Sequence, residues 1–201
     1  MLRRQGRTGE RGETIAATPS LRDETWLIDR IKRKDLRAFE DLYRIYHPRL
    51  TRFLVNIIRR PHLVEEALND TMLVVWEKPD SYNGTSRVST WIFGIAYRKA
   101  LKTLRRWDEP MDDKHLELCA SAEAGPEREV GERQVHQDLM SAIGKLSPDH
   151  RAVVNLAYFQ EAGYREIAEI MDCPVDTVKT RMFHARRHLK GMLAGQLADW
   201  L

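Results

Sequence analysis

Long apolar runs and cysteines are scarce in this sequence. Its 201 residues include two cysteines, Cys119 and Cys173. That is too few for a disulfide framework, and it suits a reducing, cytoplasmic setting. The longest uninterrupted apolar run is Met72 to Trp76, far short of the roughly 20 residues of a membrane-spanning helix, so no membrane insertion is expected. Residues 1–20 are rich in Arg, Gly and Thr and hold no apolar stretch of the secretory kind. Residues 1–23 are therefore expected to be a disordered basic tail. His115 and Cys119 are four residues apart, but two ligands do not make a zinc site, and neither metal nor cofactor is expected. No internal repeat or low-complexity tract is present.

What is present is charge, unevenly spread. Charged residues make up 31% of the chain and hydrophobic ones 42%, and the formal net charge is +3. Between Trp107 and Gln134 lie nine acids (Asp108, Glu109, Asp112, Asp113, Glu117, Glu123, Glu127, Glu129 and Glu132) against Lys114, Arg128 and Arg133. That stretch carries −6, which leaves +9 for the rest. With Pro110, Gly125 and Pro126 and few large apolar residues, 107–131 is expected to be a flexible acidic linker between two basic domains, 24–106 and 132–193. Composition alone allows two roles for it, a solvated spacer or a strand lying in a partner's basic channel.

The C-terminal domain contains "CPVDTVKTRMFHARRHLK". At about 100° per residue, Val178, Met182, Ala185 and Leu189 form one apolar stripe. Lys179, Thr180, Phe183, His184 and Arg187 point away from it, with Phe183 about 140° around the wheel. Upstream, Ser147 and Pro148 read as N-cap and first helical residue, and Gly163 is expected to close that helix. "YREIAEIM" adds a short helix with Ile167, Ile170 and Met171. A turn around Asp172–Val175 leads into the basic helix, with Asp176 in its first turn, where the helix dipole favours an acid. A short helix, a tight turn and a second helix with a basic outer face is helix-turn-helix logic. Its cations suit phosphates, while Lys179, Thr180 and His184 suit base edges and Phe183 suits a thymine methyl.

The N-terminal domain also reads as helical. Leu36, Phe39, Leu42, Tyr43 and Tyr46 have helical spacing, a break or kink is expected at His47-Pro48, and Leu50, Phe53, Leu54, Ile57 and Ile58 continue the pattern to Pro61. In "VEEALNDTMLVVW" one face carries Val64, Leu68, Thr71 and Val75, the other Glu66, Asn69, Asp70, Leu73 and Trp76. Leu and Trp beside acids suit either a protein-docking face or a second core contact. A turn-rich loop, Asp80 to Ser86, follows. In the next helix Phe93, Tyr97, Ala100 and Leu104 are expected to face the core. Trp91, Ile95, Arg98, Lys102 and Arg105 are expected on the opposite, exposed face. A loop of small hydroxyls and amides beside a basic helix suits an unstacked base, and equally an ordinary turn.

As a set and in this order, these segments resemble the bacterial RNA polymerase sigma factors of the sigma-70 family, specifically the small extracytoplasmic-function (ECF) group. "AFEDLYRIYHPRL" resembles the start of the family's region 2, "VEEALNDTMLVVW" its polymerase-clamp helix, "STWIFGIAYRKALKTLRR" its promoter-melting helix, and "YREIAEIMDCPVDTVKTRMFHARRHL" its region 4 helix-turn-helix. The resemblance covers about 24–106 and 135–190. It implies an all-α, two-domain initiation factor, not an enzyme. It also implies docking on the clamp helices of the polymerase largest subunit through Glu66, Asn69, Asp70, Leu73 and Trp76, and on the flap of the second subunit. It gives capture of a flipped minus-10 base to Asn83, Gly84, Thr85 and Ser86, and the melted strand to Trp91, Arg98, Lys102 and Arg105. It gives minus-35 reading to Asp176, Thr177, Lys179, Thr180, Phe183, His184, Arg186 and Arg187. It further implies an anti-sigma partner and a linker that threads the polymerase cleft. Three departures stand out: Asn69-Asp70 where a Gln-Glu pair is usual, Arg98 and Lys102 where Asn and often Asp are found, and Asp176 where a small residue is common.

Two other function classes compete. A helix-turn-helix regulator that is not a polymerase subunit would account for the C-terminal domain, but it leaves the acidic face and the loop with its basic helix without a role. A nuclease using Asp108, Asp112 and Asp113 lacks a scaffold to hold its metal.

Overall fold

The computed structural model describes residues 21–107 and 138–193. Among them the regular elements are helical: α1 (Leu21–Lys32), α2 (Leu36–Ile58), α3 (Pro61–Glu77), a 3-10 turn (Pro79–Ser81), α4 (Val88–Arg106), a helical segment α5 over 138–144, α6 (Pro148–Phe159), α7 (Tyr164–Met171) and α8 (Val175–Leu193). Helix α1 begins inside the stretch expected to be tail.

Local chemistry sets most of the boundaries. Asp35 caps α2, its Oδ1 accepting from the Arg37 and Ala38 amides at 3.0 and 3.3 Å. Arg30 Nε donates to Oδ2 at 2.8 Å. These hydrogen bonds, that from Arg30 foremost, hold the Asp35 carboxyl below its ordinary pKa. The expected break at His47-Pro48 does not occur, because α2 runs unbroken through Pro48. A proline inside a helix costs about 3 kcal/mol. Tyr46, Leu50, Phe53 and Leu54 around it are fully buried, at about 1.5–3 kcal/mol per large apolar side chain, and that outweighs the cost. The helix ends at Arg59, in the left-handed region at φ 61°, and Pro61 opens α3.

Helices α2, α3 and α4 share one core. Leu63, Leu68, Met72 and Val75 of α3 and Ile92, Phe93, Ala96 and Ala100 of α4 are buried. Phe53 and Phe93 meet edge to face, centroids 5.1 Å apart.

In the C-terminal unit Ser147 caps α6 and Pro148 opens it. Helix α6 ends at Phe159, and Gly163 is the N-cap of α7 rather than the end of α6. Asp172 ends α7 in the left-handed region at φ 50°. Pro174 then leads into α8, where Val178, Met182 and Ala185 are buried and Leu189 is half-buried. The expected stripe is the buried one.

The two units touch. Helix α6 lies along α2, with Arg151 Nη2 donating to the Ile57 carbonyl at 2.8 Å and Arg49 Nε to Gln160 Oε1 at 3.2 Å. Helix α7 lies on α4. Ile95, expected on an exposed face, is 5% exposed. The wheel placed it opposite the core residues of its own helix, and a wheel of one helix does not register what the rest of the chain lays over that side.

Candidate polymerase and nucleic-acid interfaces

The α3 face is mixed in character. Glu66 and Asn69 are exposed, Asp70 is half-buried, and Leu73 is 49% exposed. Lys99 Nζ pairs with Asp70 Oδ2 at 2.9 Å and Arg106 Nη1 with Glu66 Oε1 at 3.4 Å, so two cations of α4 partly neutralise these acids. Trp76 is half-buried, its ring 5.2 Å from Phe39. Lys34 Nζ sits 5.2 Å from the ring centroid. The apolar side chain this face freely offers is Leu73, while Trp76 is turned against Phe39 and Lys34.

The loop after α3 is preshaped. Asn83 Oδ1 accepts from the Thr85 amide at 3.0 Å and from its hydroxyl at 2.7 Å. Gly84 sits at φ 75°, where a β-carbon would be strained. The Tyr82 hydroxyl donates to the Ser86 carbonyl at 2.8 Å. Trp91 is half-buried with its ring 5.4 Å from Tyr82, so it braces the loop rather than standing in solvent as expected. Arg98, Lys102 and Arg105 are exposed on α4.

On α8 the reading face is open. Phe183 is 62% exposed and meets His184 edge-on at 5.5 Å. Arg187 and His184 are exposed and Thr177 is half-buried. Lys179 Nζ contacts Asp176 Oδ1 at 2.9 Å, and Thr180 donates its hydroxyl to the Asp176 carbonyl at 2.9 Å. Asp176 therefore holds the free-state position of Lys179. Arg186 Nε donates to the Tyr158 hydroxyl at 3.2 Å. Tyr158, 59% exposed at the end of α6, escaped the sequence reading, although its place outside the Val153/Val154/Leu156 pattern marked it.

Two further features were not foreseen. His150 stands 6.3 Å, ring to ring, from both His184 and His188. Burial first, then those two imidazoles, hold His150 below its ordinary pKa. Cys173 is half-buried in the helix-turn-helix turn, and burial raises its thiol pKa. Cys119, His115, Asp108, Asp112 and Asp113 lie outside the described residues, as does nearly all of the expected linker. Among the described residues no set of three His, Cys, Asp or Glu side chains converges to hold a metal ion. No helix there is long and apolar enough to cross a membrane.

Comparison with known proteins bears on this geometry. The family model for sigma-70 region 2 matches residues 42–108, and that for sigma-70 region 4 matches 136–189. The RNA polymerase sigma factor YlaC of Bacillus subtilis is 30% identical over 159 residues, spanning 76% of this chain and 90% of that protein. The chain belongs to the sigma-70 family, in its ECF group. The ECF RNA polymerase sigma-E factor of Haemophilus influenzae is 25% identical over 177 residues, 83% of this chain and 93% of that one. Two solved structures have the same fold. CnrH, bound to the cytosolic domain of CnrY, has a TM-score of 0.64 at 19% identity, covering 87% of this chain and 99% of that one. RpoE of Bartonella quintana, bound to the anti-sigma factor NepR, has a TM-score of 0.61 at 24% identity, covering 79% and 98%. This ECF sigma factor is an alternative sigma factor that directs promoter-specific transcription initiation. Its family is one of sigma factors, which are not enzymes. The reading as a regulator outside the polymerase is not favoured, since region 2 is matched as well as region 4.

Proposed function

We propose that this sigma factor docks on core RNA polymerase through α3, captures and melts the minus-10 element with the loop 83–86 and α4, and reads the minus-35 element with α8. The observation that carries this reading is the presence of three distinct surfaces on one chain. They are an acid-rich face with Leu73 projecting from it, a preshaped loop beside exposed cations, and a basic helix with Phe183 projecting. Charge complementarity orients docking and an apolar anchor supplies affinity. Phosphate contacts supply DNA affinity and base-edge contacts supply specificity.

The domains on this reading are a basic tail (1–23), region 2 (24–106), an acidic linker (107–131) that threads the polymerase cleft, and region 4 (132–193), which also meets the flap of the second subunit. The factor works in the cytoplasm without catalytic chemistry of its own, and an anti-sigma factor holds it inactive, a class of partner that its structural relative RpoE binds. Run-off transcription with core polymerase on a genomic promoter library tests the role. Specific initiation sites sharing two elements are expected. Failure to bind core polymerase in the absence of DNA would sink the reading and return the chain to the class of free-standing regulators.

A further inference from the structure

Three imidazoles gather where α8 packs on the start of α6. His184 and His188 are four apart and share one flank of α8. Across from them His150 stands in the first turn of α6, its ring centroid 6.3 Å from each of theirs. The Ser147 hydroxyl fixes that ring. It lies 2.8 Å from His150 Nδ1 and accepts from the His150 amide at 3.4 Å. Among the described residues, His150 Nε2 and the rings of His184 and His188 have no hydrogen-bond partner in the protein. His184 and His188 are exposed and His150 is half-buried, so a ligand has access to the cluster.

The cluster is short of negative charge. The charged groups facing His150 are Asp149 beside it on α6, and Arg181, His184 and His188 of α8. Asp149 is the acid among them, and both of its oxygens are taken. The Tyr97 hydroxyl of α4 donates to Oδ1 at 2.8 Å, and Arg181 pairs with Oδ2. The positive end of the α6 dipole adds to the same potential. Each proton placed on one imidazole makes the next harder to place, and an anion seated among the rings reverses that. A metal ion is the other common ligand of imidazoles, but among the described residues the side chains do not converge as its coordination requires. The surface alongside decides what the anion is. His184 borders Phe183, ring centroids 5.5 Å apart, and Arg187 is exposed on the same helix. The cluster thus continues the face read as DNA-binding.

We propose that His150, His184 and His188 form a phosphate site at the edge of the minus-35 interface, filled by one backbone phosphate of the duplex bound to α8. The site rests on the reading of α8 as the minus-35 helix. A phosphodiester there accepts N–H donors from two helices at once, so it sets the register and angle at which α8 enters the groove, as backbone contacts do. Imidazolium donates from both ring nitrogens, and the phosphate charge favours that form. Binding of DNA therefore takes up protons, and affinity rises as pH falls through the range in which imidazoles titrate. Free inorganic phosphate has the same chemistry and is the competing occupant.

The test is fluorescence anisotropy of the full chain at constant ionic strength, at about pH 6 and about pH 8, on a labelled upstream promoter element and on a scrambled duplex. Wild type is expected to bind both about tenfold or more tightly at the lower pH. The double variant His150→Gln/His188→Gln is expected to cut that ratio to about threefold or less. His188→Gln alone, at an exposed position, is expected to fall between and keeps the test valid if the double variant does not fold. A ratio in these variants equal to that of wild type would overturn the site. So would a wild type without pH dependence, which leaves α8 as the reading helix. A wild type that binds neither duplex at either pH would overturn the reading of α8 and the site with it. A scan of duplexes carrying one uncharged methylphosphonate linkage each then locates the phosphate. One position is expected to remove the pH dependence from wild type and to change nothing further in the variants. If no position does so while inorganic phosphate still shifts the His188 ring signals in nuclear magnetic resonance spectra, the occupant is a free anion only and the DNA assignment falls.

Discussion

Lys34 and Trp76 are joined twice: Lys34 Nζ donates to the Trp76 carbonyl at 3.0 Å and sits 5.2 Å from the centroid of its ring. With Phe39 on the indole as well, Trp76 belongs to the support of the α3 face. Two substitutions there should therefore separate. Trp76→Ala should lower stability, by about 2 kcal/mol for a half-buried large side chain. Leu73→Glu, on a side chain 49% exposed, should change stability by no more than about 0.5 kcal/mol yet abolish capture of core polymerase. Chemical denaturation beside a pull-down decides. Wild-type capture by Leu73→Glu would move the docking face elsewhere.

On α8 the cations should differ in kind. Arg187→Ala should weaken binding about equally on all sequences and flatten the salt dependence, as loss of a phosphate contact does. Lys179→Ala should also relax preference at one base position, by about 1–3 kcal/mol. Asp176→Ala releases Lys179 from its 2.9 Å ion pair and removes a negative charge facing the backbone, so affinity should rise on specific and scrambled duplexes alike. Binding profiles of the three variants at two salt concentrations check this. A Lys179→Ala profile identical to wild type would contradict base readout.

Phe183 and Met182 are neighbours in sequence with opposite surroundings, 62% and 1% exposed. Met182→Ala should cost about 2–5 kcal/mol. Phe183→Ala should leave the melting temperature nearly unchanged and weaken binding more on the preferred minus-35 element than on scrambled DNA. A stability loss at Phe183 would rotate the whole reading face.

His150 gives a pH signature. Its folded pKa lies below the ordinary value of 6.5, from burial and from His188 and His184, with Arg181 lowering it and Asp149 raising it. The folded chain therefore binds this proton less readily than the unfolded one. Stability should be full above about pH 6.5 and fall as pH drops through and below it. His150→Gln should flatten that decline between about pH 5 and 7 when unfolding is followed by circular dichroism. An unchanged slope would mean that His150 carries no linkage.

The sequence by itself determined the helical class, the buried stripes of α3 and α8, the Ser147-Pro148 start of α6, and the outward direction of Phe183. Each is a local matter. Helical period and capping chemistry act within a few residues, and a wheel needs no partner to say which side is apolar. The break expected at Pro48 failed because packing around Tyr46, Leu50, Phe53 and Leu54 overrode a local preference. Trp91 and Trp76 were legible as members of a mixed face, but not as half-buried rings packed on Tyr82 and Phe39. Only the tertiary structure decided the burial of Ile95 and the meeting of Thr90 with Glu166, 76 positions away, and of Tyr97 with Asp149. Such pairs have no period and no spacing to betray them. They arise when two helical surfaces, each complete on its own wheel, are brought together by the rest of the chain.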